Sequence, residues 1–218
     1  MAYRLVATQY LVGSQGRTSM SGYDQLLTLI EQQPLSRSLP AALRIANSIT
    51  DEEWASWIKL ELMGYLADNP AMRKQTAVPE YRAVPGLWYD DYGRSLAIND
   101  PGLAFINELR LRQGVTELES IAAGNGPLVM RPMEFSDIIR NNFDVEVSIF
   151  QFQPRSVCQV LTNIKVQLLD RVASRRERIS AIPVNQISQK AEILLLKPNL
   201  YGVGVDLKAL WRRAFGKQ

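Results

Sequence analysis

The 218-residue chain contains no histidine. That absence removes the usual general base near neutral pH, the commonest metal ligand and the physiological proton switch. There is one cysteine, Cys158, so no disulfide can close within the chain. A His/Cys zinc site, a Ser-His-Asp triad and a Cys-His pair are excluded within it for the same reason. Only carboxylate, lysine or tyrosine chemistry remains. No stretch reaches the roughly 18 to 20 apolar residues needed to span a bilayer. The opening MAYRLVATQYLVGSQGRTSM does not read as a secretory signal, because Thr8, Gln9 and Tyr10 interrupt its apolar run and no small-residue cleavage site closes it. The expectation is a cytoplasmic protein without membrane contact, and a lone thiol suits a reducing compartment. No cofactor, metal site or catalytic residue set is expected.

What is present is organised around Thr50–Tyr65, TDEEWASWIKLELMGY. The spacing predicts a helix. Thr50 suits an N-cap and Glu53, three residues on, would complete a capping box. Asp51, Glu52 and Glu53 place negative charge at the positive end of the helix dipole. Trp54, Trp57, Ile58, Leu62 and Tyr65 recur at helical spacing and form an apolar face. Glu61 breaks that face, seven residues after Trp54. A carboxylate there is costly unless paired, and Arg44 and Arg82 are the candidate partners of a structural ion pair. The competing reading is a site carboxylate with a raised pKa. No second catalytic group stands nearby in the sequence, which favours the ion pair.

The run Leu39–Ala46 (LPAALRIA), then Trp57, Glu61, Leu62, Gly64 and Tyr65, then Pro79, Tyr81 and Arg82, resembles the AbiTii domain. That family carries Trp-x-x-x-Glu-Leu-x-Gly-Tyr followed by Pro-x-Tyr-Arg, and this chain departs at none of those positions. The resemblance covers roughly residues 20 to 180. It implies a bacterial anti-phage, abortive-infection context, and it implies no particular reaction.

Around the central helix, residues 1–19 read as a leader with little fixed structure, and Met20 is an alternative to Met1 as the natural start. Ser21–Gln33 reads as a short helix stopped by Pro34. A second helix, capped by Ser36 or Ser38, carries Leu39, Leu43, Ala46 and Ile49. Glu80–Ile98 predicts two or three short strands with a hairpin turning at Asp90-Asp91-Tyr92-Gly93. Thr116–Ala122 is a short helix, and Phe135–Asn141 one helical turn or two. Phe105–Leu111 is ambiguous by pattern. Val145–Phe152 alternates as a strand. Pro154 suits the first position of a long helix running to about Arg178, with Val157, Leu161, Ile164, Leu168 and Val172 as its buried stripe. Cys158, beside that stripe, is expected to be a small buried hydrophobe. Ile193–Leu196 and Tyr201–Asp206 are strand-like. Leu207–Phe215 is an amphipathic helix with Leu210, Trp211 and Phe215 on one side. The expected fold is α+β. It has an N-terminal three-helix unit, a small mostly antiparallel β region, a long helix in the C-terminal half and a terminal β/α appendage. The domain reading is 1–19 leader, 20–180 AbiTii-like domain and 181–218 appendage.

The net charge of +3 hides an asymmetry. From Arg171 onward there are ten Lys/Arg against three acids, whereas the preceding body holds fifteen against nineteen. Such asymmetry suggests an anionic partner, or docking of the tail on the acidic body. Arg171, Arg175, Arg176 and Arg178 are candidate anion or partner contacts, joined by Lys208, Arg212 and Arg213. The plain alternative is cations at a helix C-terminus, where the dipole favours them. Asp90-Asp91 is read as a hairpin turn, since adjacent strand residues point to opposite faces and grip one ion poorly. Gly202-Val203-Gly204 lacks the third glycine and the βαβ context of a dinucleotide site. The leading expectation is a non-enzymatic binding or adaptor protein of an abortive-infection system, forming a homo-oligomer or a complex with another defence protein. A nucleic-acid-binding effector using the basic C-terminal region, and a toxin with carboxylate-based activity built on Glu61, are the alternatives.

Overall fold

A computed structural model describes residues 20–182. The leader and appendage readings, with Lys208, Arg212 and Arg213, lie outside the described residues. The fold is α+β. Helices α1 (Gly22–Gln32), α2 (Leu35–Ser48) and α3 (Glu52–Met63) come first. Short strands β1 (Ala83–Pro85), β2 (Leu87–Tyr89), β3 (Ser95–Leu96) and β4 (Glu108–Arg110) follow, then α4 (Val115–Ala122), β5 (Leu128–Met130), α5 (Met133–Phe143) and β6 (Ile149–Phe152). The long α6 (Pro154–Ala173) and the short α7 (Arg176–Ser180) close the described chain.

Helix starts follow from side-chain acceptors, though not always the expected ones. Ser21 caps α1 in a full capping box with Asp24. Neither Ser36 nor Ser38 caps α2. The helix begins one residue earlier, after Pro34, which supplies no side-chain cap. An acceptor arrives from elsewhere in the chain instead, as Glu119 of α4 takes the Ser36 N–H at 3.1 Å. Ser36 and Ser38 lie inside the helix, and Ser38 is buried. Nor does Thr50 cap α3. The α2–α3 link is so tight that Thr50 takes a left-handed φ of 54° while the Asp51 N–H bonds back to Ala46 at 2.8 Å. An N-cap takes non-helical backbone at negative φ, so the role passes to Asp51, at φ -100°, which accepts from the Trp54 N–H at 3.0 Å.

Two antiparallel sheets form: β1 with β4, and a four-stranded sheet in the order β3-β2-β6-β5. The β2–β3 hairpin turns through Asp90–Arg94, with Asp90 accepting from the Tyr92 and Arg94 N–H groups and pairing with the Arg94 guanidinium at 2.6 Å. The register sets Trp88 opposite Phe150 and Met130 opposite Phe150 on its other side, so these face one way. Trp88 is buried, lies edge-on to Phe150 and Phe135, and donates its indole N–H to the Ile106 carbonyl at 3.1 Å. This sheet face joins the core formed with Leu26, Leu39, Trp54, Ile58, Val160 and Ile164 from the helices.

Three further readings are corrected. The strand at 145–152 is shorter, Ile149–Phe152. The long helix stops at Ala173 and resumes at Arg176. Its buried residues are Val157, Val160, Ile164, Leu168 and Val172, with Leu161 half-buried. Cys158 is exposed, not buried. One residue beyond Val157 the helix has turned by about 100°, which carries the thiol off the buried stripe.

Candidate functional site

The densest polar constellation lies at the C-terminal half of α3. Glu61 and Arg82 are both fully buried, with Arg82 Nε 3.2 Å from Glu61 Oε2. The contact is an ion pair out of line for a hydrogen bond. The other carboxylate oxygen, Oε1, accepts from the Tyr65 and Tyr81 hydroxyls, each at 2.7 Å. Tyr81 in turn accepts from the Trp57 indole N–H at 3.0 Å. Arg82 donates through Nη1 to the carbonyls of Leu111 (2.7 Å) and Gln113 (2.9 Å), and its guanidinium stands 4.9 Å from the centre of the Tyr65 ring. Of the two arginines considered from the sequence, Arg82 faces Glu61 here. Arg44 directs its Nε at the Pro40 carbonyl on its own helix, 3.5 Å away.

The chain is bent to make this cluster. α3 ends at Gly64, whose φ of +87° favours glycine. A Cβ at Gly64 would strike the Arg112 carbonyl, and one at Gly114 would strike the Leu62 carbonyl. Two glycines therefore let the end of α3 lie against the segment before α4, and the Tyr65 N–H bonds to the Arg112 carbonyl at 2.7 Å. That same segment presents the two carbonyls taken by Arg82. Asn69, also buried, holds the exit of α3 by donating to the Gly64 carbonyl at 2.6 Å.

Electrostatically the cluster is a charge pair wrapped in aromatic rings. Burial first, then the Glu61 charge, pushes the Tyr81 phenol up to about 12. The Tyr65 phenol is raised further by the same causes in the same order. Both hydroxyls therefore stay protonated and donating across the physiological range. With one oxygen held by two phenols and the other facing a guanidinium, the carboxylate has no exposed edge.

The second constellation is at the opposite end of α3. Asp51 Oδ2 pairs with Arg175 Nε at 2.8 Å and with Arg178 Nη1 at 3.0 Å. Arg178 also donates to the Ile49 carbonyl. Arg175 stacks over Trp54 (5.2 Å) and Arg171 over Trp57 (4.6 Å), while Arg171 also lies 3.8 Å from Glu53. Arg176 covers the Tyr23 ring at 5.3 Å. The hydrogen bond from Arg175, with that from the Trp54 N–H and the charges of Arg175 and Arg178, holds the Asp51 carboxyl below its usual value against the opposing pull of burial. So of the four arginines read as candidate anion contacts, Arg171, Arg175 and Arg176 sit over aromatic rings of α1 and α3, and Arg171, Arg175 and Arg178 lie beside the acids that open α3. The sequence showed each group separately. Residues 124 apart carry no local sign that they will meet.

Residues 26–192, well over half the chain, match the AbiTii family. The chain belongs to that family. AbiTii is associated with abortive infection, an anti-phage response. Comparison with curated proteins gives no match, and neither does comparison with solved structures. Within this AbiTii chain, several of the motif residues that prompted the resemblance meet in the first cluster. Trp57, Glu61, Tyr65, Tyr81 and Arg82 form one bonded network, with Gly64 making the turn between them. That Tyr65 and Tyr81 would both hold Glu61 was missed from the sequence. The i to i+4 spacing of Glu61 and Tyr65 was the available signal, although Tyr65 lies just beyond the end of α3. Among the described residues no group of His, Cys, Asp or Glu is arranged to hold a metal ion, and no helix is long and apolar enough to cross a membrane.

Proposed function

We propose that this AbiTii protein is a non-enzymatic binding or adaptor component of a bacterial abortive-infection system, working through contacts with other proteins, in a homo-oligomer or beside another defence protein. The observation that carries the reading is the state of Glu61. It is the carboxylate that the sequence singles out for chemistry, and it is buried with both oxygens committed to Tyr65, Tyr81 and Arg82. A general acid or base must reach the proton it moves, and this carboxylate reaches only its own neighbours. Its chemistry supports a scaffolding role: it ties α3 to the strand region and to the start of α4, and so fixes the surfaces that a partner would meet.

The test is mass measurement of the purified chain in solution, together with co-purification of a tagged chain with the products of neighbouring genes before and after phage challenge. A stable oligomer, or a stoichiometric complex with one such product, is expected. A strictly monomeric chain without a partner in either state overturns the reading. So does substrate turnover that Glu61→Gln abolishes while leaving the melting curve in place.

A further inference from the structure

The four-stranded sheet has a second face. Registers place Leu87 and Val129 on either side of Gln151, and Tyr89 between Ser95 and Ile149. These six alternate with Trp88, Phe150 and the other core-facing residues, so they point away from the core. None is charged, and four are apolar or aromatic. Leu87 and Val129 are 42% and 39% exposed. An antiparallel sheet with one face to water normally carries polar residues there, and here only Ser95 and Gln151 are uncharged polar residues of that ordinary kind.

Size decides what fits. Four strands about 4.8 Å apart, each two to four residues long, present a footprint of roughly 200 Å². A stable interface between separate proteins needs about 800 Å² from each partner. A segment tethered to the same chain needs far less, because its effective concentration is about millimolar. Residues 183–218 follow the described fold, and the family match ends at 192. They carry Leu210, Trp211 and Phe215 at helical spacing, and six Lys/Arg against two acids. Residues 183–192 alone reach up to about 33 Å when extended, most of the way across a domain of this size, about 40 Å.

Charge points to the same occupant. At the end of the sheet where the β2–β3 turn meets the approach to β6, Asp91, Asp144 and Glu146 are exposed. Of the cations at that end, Arg94 is already paired with Asp90, and the exposed Arg131 just after β5 is outnumbered by the three acids. Lys208, Arg212 and Arg213 flank the apolar stripe of the tail and complement that rim.

We propose that the C-terminal segment 193–215 of this chain covers the outer face of the four-stranded sheet, its Leu210/Trp211/Phe215 stripe lying on Leu87, Tyr89, Val129 and Ile149. The inference goes beyond the adaptor reading and does not depend on it. The tail position is read within one chain, whereas partners are read by co-purification.

The full chain with Cys158→Ser provides a thiol-free background. Into it, Val129→Cys and Leu210→Cys are introduced together, and mild oxidation is followed by mass and gel mobility. The control pair is Val166→Cys with Leu210→Cys, since Val166 is 48% exposed on α6, away from the sheet. The expected result is an intramolecular bridge in the first pair at least tenfold faster than in the control, slowed when Arg212→Glu and Arg213→Glu are added. Equal rates in the two pairs, or bridging of the first pair only between molecules, overturns the proposal. Melting curves matching that of the thiol-free background show that each variant is folded.

Discussion

The two ends of α3 are built from the same ingredients: a carboxylate, arginines and aromatic rings. At the C-terminal end the pair Glu61–Arg82 is fully enclosed, and its carboxylate is finished by two phenols. At the N-terminal end Asp51 and Arg175 keep 10% and 15% of their side chains in water, and Arg178 keeps half of its own. The difference changes what each assembly contributes. A buried pair adds little net stability over an apolar pair, yet removing one partner strands the other charge in a medium that cannot solvate it. A pair at the rim can recover water when it breaks, so its loss is milder and depends on salt and pH. The inner cluster therefore specifies how the segments meet, while the outer one latches α7 to the start of α3.

The sharpest way to break the comparison is to remove one inner partner. Glu61→Leu is expected to destabilise by about 3 to 5 kcal/mol, because Arg82 remains buried and unpaired. Glu61→Leu with Arg82→Met should recover most of the loss in urea denaturation. If the double variant is as unstable as the single one, the cost lies in packing and not in charge. The turn that assembles the cluster comes next. Gly64→Ala should cost about 2 to 3 kcal/mol, from positive φ and from contact with the Arg112 carbonyl. Alanine at an exposed, unstrained position should cost far less in the same assay.

The outer latch gives a smaller effect with a pH signature. Asp51→Asn keeps an N-cap acceptor and removes the charge, so about 1 to 2 kcal/mol is expected at neutral pH, in the range for hydrogen bonds to charged groups. Because the folded carboxyl is held below its ordinary value, this contribution is complete above about pH 4. It is lost as pH falls through the lowered folded value. Melting temperatures of the parent and Asp51→Asn should therefore converge in acid, and a constant gap would contradict the latch. The inner cluster responds at the other extreme. Tyr81, pushed up to about 12, contributes fully below its unfolded value of about 10. That contribution disappears as pH rises through the folded value. Absorbance titration should find the Tyr65 and Tyr81 phenols un-ionised at pH 11. The smallest effect is at Cys158: Cys158→Ser should change stability by less than about 0.5 kcal/mol, and the native thiol should react with a thiol reagent without denaturant.

Much of the fold was legible from local pattern. The three N-terminal helices, the 90–94 hairpin and the Pro154 helix all carry their signals within a few residues of one another. The failures have physical causes of longer range. Thr50 has the chemistry of a cap, but the tight α2–α3 link denies it the backbone to act as one. α2 has no cap of its own and takes Glu119 from 83 residues away. Strands β4 and β5 are three residues long, too short to show a period. Of the polar site, the need for a partner at Glu61 could be read from its place on an apolar face, and Arg82 could be named as a candidate. Tyr81 and the carbonyls of Leu111 and Gln113 could not, since their role depends on where the chain crosses itself.

Composition alone determined which side chains this chain can bring to any chemistry: no imidazole and one thiol, whatever the fold. Periodicity likewise determined which helical faces must be buried, since that follows from 3.6 residues per turn. Only the tertiary structure decided the state of each charge. Arg82 and Arg175 are the same residue type, yet one is sealed beneath Tyr65 and the other lies at the rim over Trp54. A charge is governed by the water left around it, and that is set by segments distant in sequence.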